Sequence, residues 1–327
     1  MMIDIERQMT QPFNRASLQS RVTALAGGGV FIGTSSWKYS GWCDLLYDPG
    51  RYVWRGRFAQ TRFERDCLGE YAEVFQTVCV DGAYYKFPDH RYLEGLVCQV
   101  PASFLFAFKV TDEITLKRFT NLPRFGLRAG KANENFLNAD LFASAFLRPC
   151  ETFKEKIGLL IFEFSHFYAS DFVRGRDFVG LLDQFLEKLP KGWSYGVELR
   201  NKHFLHPEYF SVLSRHGVAH IFNSWGEMPP VSEQMALPGS LTNPKLCGAR
   251  FLLKPGRKYQ EAVDLFSPYD RVQEPNLEAR SAGAALIQQG RAARERKTFI
   301  YVNNRLEGNA LMTIEAIIER ASRRSLE

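Results

Sequence analysis

The chain has 327 residues, with 42 Lys and Arg against 36 Asp and Glu, and a formal net charge of +6. Hydrophobic residues make up 45% and charged residues 24%, ordinary globular values that exclude a disordered, collagenous or disulfide-scaffold chain. No window approaches the roughly 20 unbroken apolar residues of a membrane span, so a partner membrane is not expected, and the length suffices to bury a large core.

Six cysteines (Cys43, Cys67, Cys79, Cys98, Cys150 and Cys247) form no C-x-x-C pair and share no zinc spacing with histidine. They read as small hydrophobes in a reducing cytosol, which points to a cytoplasmic protein. The segment before Gly28 has acidic residues and no apolar signal core. Residues 1–27 are expected as a loose extension and residues 28–327 as one domain. The mild positive charge permits an anionic ligand without requiring one.

In chain order the first expected strand is Val30–Thr34, followed by a loop rich in Trp, Tyr and Gly. A helix then carries Phe63, Cys67, Tyr71 and Phe75 on one face. A second strand over Thr77–Gly82 leads to a short helix at His90–Cys98, and a third strand covers Phe104–Val110. The long polar loop that follows, Thr111–Asn135, ends in a helix near Asn138–Leu147, with Pro149 opening a second short helix. The fourth strand is Gly158–Phe164, and the next helix presents Phe178, Leu181, Leu182, Phe185 and Leu189 as one face, with Asp177 as its expected cap. The fifth strand is Ser194–Arg200; Pro207 starts a helix and Gly217 stops it. The sixth and seventh strands are Val218–Phe222 and Ala249–Leu253, separated by a proline-rich stretch. An irregular segment, a helix at Leu277–Arg296, an eighth strand at Thr298–Val302 and a last helix with Leu311, Ile314 and Ile317 complete the chain.

Eight strand–helix units alternate strictly, with strands apolar on both faces, as a covered parallel sheet requires. Eight units in this length predict an α/β fold, a TIM-like (β/α)8 barrel. The rival is an open doubly wound sheet, but Gly27, Gly28 and Gly29 precede the first strand instead of following it, so no dinucleotide fingerprint is present.

In such barrels ligands sit at the C-terminal strand ends. Those ends carry Ser35 and Trp37, Asp81 and Tyr85, Lys109, Glu163, Glu198 and Arg200, Lys254, and Asn303 and Asn304. Glu198 and Arg200 share a strand face, and Glu163 is expected beside them on the neighbouring strand. Two carboxylates and a guanidinium at one mouth perturb each other's proton affinity, as active sites exploit; the alternative is a structural ion pair capping the barrel. Lys109 reads as an anion-holding or proton-shuttling lysine, or as a surface lysine past the strand end. The basic turn Lys254-Pro-Gly-Arg257 reads as a phosphate site or a plain turn, and Asn303-Asn304 as ligand donors or turn caps. The spacings His203-x-x-His206 and His216-x-x-x-His220 resemble metal pairs, but Pro207 and Gly217 interrupt them and no H-E-x-x-H accompanies them. No metal and no definite cofactor is assigned.

Several motifs together resemble one family. They are Gly33-Thr-Ser-Ser-Trp37 with Tyr39, Gly41 and Trp42; Thr77-Val-Cys-Val-Asp81 with Tyr84-Tyr85; Phe106-Ala-Phe-Lys109 with Ile114-Thr115; Val197-Glu-Leu-Arg200; and Tyr301-Val-Asn-Asn304 with Gly308, Asn309 and Ala310. Their order over about residues 30–320 is similar to the YecE-like family, domain of unknown function 72. The resemblance implies a TIM-like barrel and no established reaction. The chain departs from the family's pattern at Cys79 and Asp81, at Glu163-Phe-Ser165 and at Lys254-Pro-Gly256.

Three functions compete. The first is a barrel that binds or turns over a small anionic or phosphorylated ligand, with Lys109, Arg200 and Lys254 as cations and Glu198 or Glu163 as acid/base. The second is a nucleic-acid binding or processing protein that grips phosphates through loops 35–56 and 111–135. The third is a non-catalytic scaffold whose mouth only contacts a partner protein, which a flat or plugged mouth without a pocket would favour.

Overall fold

The computed structural model describes residues 13–323. Eight parallel strands close into a barrel: β1 (Val30–Thr34), β2 (Thr77–Val80), β3 (Leu105–Lys109), β4 (Ile157–Phe164), β5 (Tyr195–Leu199), β6 (Ala219–Asn223), β7 (Leu246–Phe251) and β8 (Lys297–Val302). Each strand lies beside its sequence neighbours, and β1 closes the ring against β8 in full register, Val30 opposite Thr298 through Thr34 opposite Val302. The seam between β1 and β2 is narrower, with Thr34 opposite Val78. This is the predicted TIM-like (β/α)8 architecture.

The helical layer includes α1 (Arg15–Gly27), α2 (Gln60–Val74), α3 (His90–Val97), α4 (Gly175–Glu187), α5 (Pro207–His216), α6 (Leu277–Ala292) and α7 (Ala310–Arg323). Between β3 and β4 it becomes a broken run of short turns over Ala139–Lys156, with Pro149 at a turn start as expected. Pro207 opens α5, and Gly217 closes it with φ +64°, a left-handed conformation glycine adopts without strain.

Three expectations need correction. Residues 13–27 are not loose. Asn14 caps α1 by accepting from the Ser17 amide at 2.9 Å, and Leu18, Val22 and Leu25 are buried because α1 packs on β1 and α2. Residues 1–12 of that expected extension lie outside the described residues. The cap of α4 is Arg174, with Asp177 three positions inside, reaching back to the Arg174 amide at 3.1 Å. The seventh strand begins at Leu246, three residues earlier than expected, and its following segment contains a helix at Tyr259–Phe266.

Two cores share the strands. Outward residues such as Phe106, Phe162 and Val197 pack under the helices. Inward residues, among them Cys79, Ala107, Leu159, Ile161, Ile221, Phe299 and Tyr301, fill the barrel. Gly196 and Gly248 make room there: a Cβ on either would stand 2.5 Å from Cδ1 of Ile221. The interior is a plug, as side-chain layers in such barrels are.

Candidate functional site

The period-two alternation that fills the plug continues upward into charge. Lys109 follows Ala107 on the inner face of β3, Glu163 follows Ile161 on β4, Glu198 follows Gly196 on β5, and Arg250 follows Gly248 on β7. Glu163 and Glu198 lie directly opposite each other across the β4–β5 ladder. With Asp81 just past β2 and Arg200 just past β5, these residues meet in one ring on top of the plug.

Three cations alternate with three carboxylates. Arg250 donates from one terminal nitrogen, Nη1, to Glu163 Oε2 at 2.7 Å and to Glu198 Oε2 at 2.6 Å. Arg200 reaches Glu163 Oε2 at 2.8 Å and Glu198 Oε1 at 3.1 Å. Lys109 Nζ stands 2.9 Å from Glu163 Oε2 and 3.4 Å from Asp81 Oδ1. Arg250 also approaches Asp81, at 3.8 Å. Two of the three cations carry aromatic lids: Lys109 Nζ lies 3.9 Å from the Tyr84 ring centre, and the Arg200 guanidinium 4.0 Å from that of Trp225.

The ring is buried, and burial alone would neutralise its members. Burial pushes the Glu163 carboxyl up, but Arg200, Lys109 and Arg250 outweigh it and hold the group well below the usual carboxylate range. Burial likewise pushes the Lys109 ammonium down, and Glu163 and Asp81 more than reverse this, so Lys109 stays charged. Tyr84 is pushed up to about 12, mainly by burial and then by the Glu163 charge. The surroundings therefore favour the charged forms of both groups, Lys109 as an ammonium and Glu163 as a carboxylate.

The carboxylates are unequal. Glu198 is wholly buried and uses both oxygens, Oε1 on Arg200 and Oε2 on Arg250. Glu163 makes its shortest contact with each of the three cations through Oε2. Asp81 is the ring carboxylate nearest solvent, its side chain 31% exposed.

Of the residues singled out from sequence, the fold brings together Asp81, Lys109, Glu163, Glu198 and Arg200. Ser35 and Trp37 sit buried just past β1, and neither Ser35 Oγ nor Trp37 Nε1 makes a hydrogen bond. Tyr85 stands on the rim, 60% exposed, with the Arg124 guanidinium 4.9 Å from its ring centre. Asn303 and Asn304 act as caps: Asn303 Oδ1 accepts from the Arg305 amide at 3.0 Å and Asn304 Oδ1 from the Ala310 amide at 2.7 Å. Lys254 does not join the ring; its side chain is 57% exposed and lies 3.9 Å from Glu274. The place expected for Lys254 is taken by Arg250, which the sequence reading missed because the late placement of β7 left it at the strand's start. An arginine inside Leu-Cys-Gly-Ala-Arg-Phe-Leu-Leu was the available signal, since a charge in a buried strand needs a partner.

The histidine spacings have other occupations. His216 Nε2 contacts Asp183 Oδ1 at 2.6 Å. His220 is buried against Tyr209, 3.1 Å from its hydroxyl, and burial lowers its proton affinity to about 3. Among the described residues no group of three or more His, Cys, Asp or Glu side chains is arranged to hold a metal; Asp81, Glu163 and Glu198 face Lys109, Arg200 and Arg250 instead. Among the described residues no helix is long and apolar enough to cross a membrane.

Comparison with known proteins agrees with this fold. No curated protein matches the chain. A DUF72 family protein from Enterococcus faecalis V583 superposes with a TM-score of 0.58 at 17% identity, over 90% of this chain and 95% of that one. A DUF72 family protein from Thermotoga maritima MSB8 superposes with a TM-score of 0.52 at 16% identity, over 90% and 99%. At such identities the likeness is one of fold. The family model described as protein of unknown function DUF72 matches residues 31–326, and the chain belongs to that family.

Proposed function

We propose that the barrel mouth binds a small anionic ligand, with the charge ring as its floor. The observation that carries this reading is a run of buried donors without partners at three adjacent strand ends: Ser35 Oγ after β1, Asn304 Nδ2 after β8 and Arg250 Nε on β7. Buried donors without acceptors are uncommon, and a rearrangement of the rim around an anion would give them acceptors. Lys109 and Arg200 contribute charge, while the ionised Glu163 accepts from a ligand hydroxyl or water. Glu198 serves as the strut that holds Arg200 and Arg250 in place. All six cysteines are free thiols, which supports a reducing, cytoplasmic setting.

The nucleic-acid alternative rests on the stretch Leu116–Asn133, which has Lys117, Arg118, Arg124, Arg128 and Lys131 and no acidic residue. Its charge is largely spoken for: Arg124 pairs with Asp112, Arg128 with Glu113 at 2.8 Å, and Arg118 faces Asp171 at 3.6 Å. A polyanion grip would leave more of these free, so the small ligand is favoured. Thermal-shift measurements with inorganic phosphate, phosphorylated sugars and dicarboxylates test the proposal. The expected result is stabilisation by a few kcal/mol at ligand concentrations well above Kd, lost in Arg200→Ala. An unchanged melting temperature across the whole set, or binding only to oligonucleotides with a steep salt dependence, would overturn it.

A further inference from the structure

Between β1 and α2 the chain forms a small hairpin outside the barrel. Val53–Trp54 pairs antiparallel with Arg57–Phe58, Val53 opposite Phe58 and Trp54 opposite Arg57. A two-residue turn, Arg55-Gly56, joins them with φ of +50° and +77°, the left-handed pair that closes a tight hairpin. Directly opposed residues share a face, so the hairpin has two. Phe58 lies on one, its ring centre 5.6 Å from that of buried Phe63 and 6.3 Å from that of Tyr52. That face packs on the protein. Trp54 and Arg57 lie on the other, which points to solvent.

Trp54 is 61% exposed, and Arg55 and Arg57 are exposed beside it. Among the described residues Trp54 makes no ring or cation contact, and Arg55 and Arg57 make no ion pair and no side-chain hydrogen bond. The charge is not balanced nearby in sequence either: residues 49–63 include Arg51, Arg55, Arg57 and Arg62 and no acidic residue. Arg51 is held by Glu73 at 2.9 Å, and Arg62 donates to the Val53 carbonyl at 3.2 Å. These two brace the base of the hairpin, and the outer pair stays free. The basic stretch after β3 differs on this point, since Arg118, Arg124 and Arg128 there face acids.

An open indole beside two free guanidiniums has the chemistry of a single-strand platform. A base stacks on the indole, and the phosphates that flank it meet the guanidiniums. A duplex keeps its bases stacked on one another and offers none to Trp54. A bilayer is a poorer match, because the hairpin leads with Arg55-Gly56 and its Phe58 face is turned toward the protein. An acidic peptide satisfies the arginines and leaves the indole without a partner.

We propose that this hairpin docks single-stranded nucleic acid, with one base on Trp54 and adjacent phosphates on Arg55 and Arg57. The proposal goes beyond the anion reading of the mouth and does not depend on it. Fluorescence anisotropy of labelled oligouridylate and oligothymidylate, titrated with the full chain, tests it and separates RNA from DNA as the source. At least one is expected to bind at low salt and to weaken as salt rises. Trp54→Ala is expected to weaken binding roughly five- to hundredfold, and Trp54→Phe, which keeps a ring, by much less. Arg55→Ala and Arg57→Ala are each expected to flatten the salt dependence by about one phosphate contact, and Lys254→Ala to leave binding unchanged. The proposal falls if neither oligonucleotide binds at low salt. It falls if Trp54→Ala binds as the parent chain does, which would put the strand elsewhere on the molecule. It falls also if poly-glutamate or vesicles of anionic lipid bind as tightly and with the same dependence on Trp54. Failure of small anions to bind at the mouth leaves each of these outcomes unmoved.

Discussion

Two buried ion networks lie at the same end of this barrel and are built on opposite plans. In the loop after β8, Glu307 is wholly buried and saturated. Arg280 of α6 grips it with two nitrogens at 2.8–3.1 Å, Thr313 donates to Oε2 at 2.8 Å, and the Asn276 amide donates to Oε1. Both oxygens are used, and no bonding capacity faces outward. In the mouth ring, Glu163 makes its shortest contact with all three cations through one oxygen, and Asp81 is part-open to solvent. The first network fastens α6 and α7 to the β8 loop. The second gathers three cations around one carboxylate oxygen and leaves its outer acid part-open. Burial and charge do not separate the two networks; the openness of Asp81 does.

The sharpest test of this contrast is truncation of one acid from each network. Glu198→Ala leaves Arg200 and Arg250 to share Glu163, and Glu307→Ala strands Arg280; each is expected to cost about 3–5 kcal/mol of unfolding free energy in denaturant titrations. Only Glu198→Ala should also change ligand-induced stabilisation at the mouth. Equal effects of the two variants on that stabilisation would break the distinction.

A gentler change comes next. Glu163→Gln keeps the side-chain shape and removes the charge that three cations share. A loss of roughly 1–3 kcal/mol is expected, together with loss of the ligand effect that Glu163 supports.

The acid limb of stability sharpens the same point. The Glu163 carboxyl is held below its ordinary value of 4.5 in the fold, so the unfolded chain takes up its proton first as pH falls. Its contribution is complete above that ordinary value and is lost as pH drops through the lower folded value. Denaturation followed between about pH 5 and 2 should therefore show a shallower slope in Glu163→Gln than in the parent chain, and parallel slopes would remove Glu163 from the account. The smallest effect is expected at the residue left outside: Lys254→Ala should shift stability by no more than about 0.5 kcal/mol and leave mouth binding intact.

Much of the architecture was legible because strands buried on both faces are apolar runs of the right length, separated by helical periods. β1 is found at its expected bounds, and Pro207 and Gly217 bracket α5 as their backbone chemistry requires. The ring was legible in part. Glu198 and Arg200 share a face through simple parity, and Glu163 lies opposite Glu198 because equal rise along paired parallel strands keeps their ends level. Arg250 was hidden by strand placement. The small residues Cys247, Gly248 and Ala249 weaken the β signal at the true start of β7, and Leu252 and Leu253 extend the apolar run past its end. Lys254 looked like a mouth cation for the same reason, since a strand read three residues late presents the wrong side chain at its end. The segment before Gly28 was misjudged because three apolar residues, Leu18, Val22 and Leu25, give a thin stripe that becomes persuasive only once β1 and α2 stand beneath it.

The plug beneath the ring has a consequence for traffic. Ile221, seated between two glycines, and the stacked rings of Phe299 and Tyr301 seal the cylinder's axis, so whatever arrives at the charged floor has one doorway for both entry and exit. For the anion proposed at that floor, residence time would be governed by the loops overhead, and exchange of these loops would alter it without touching a single member of the ring.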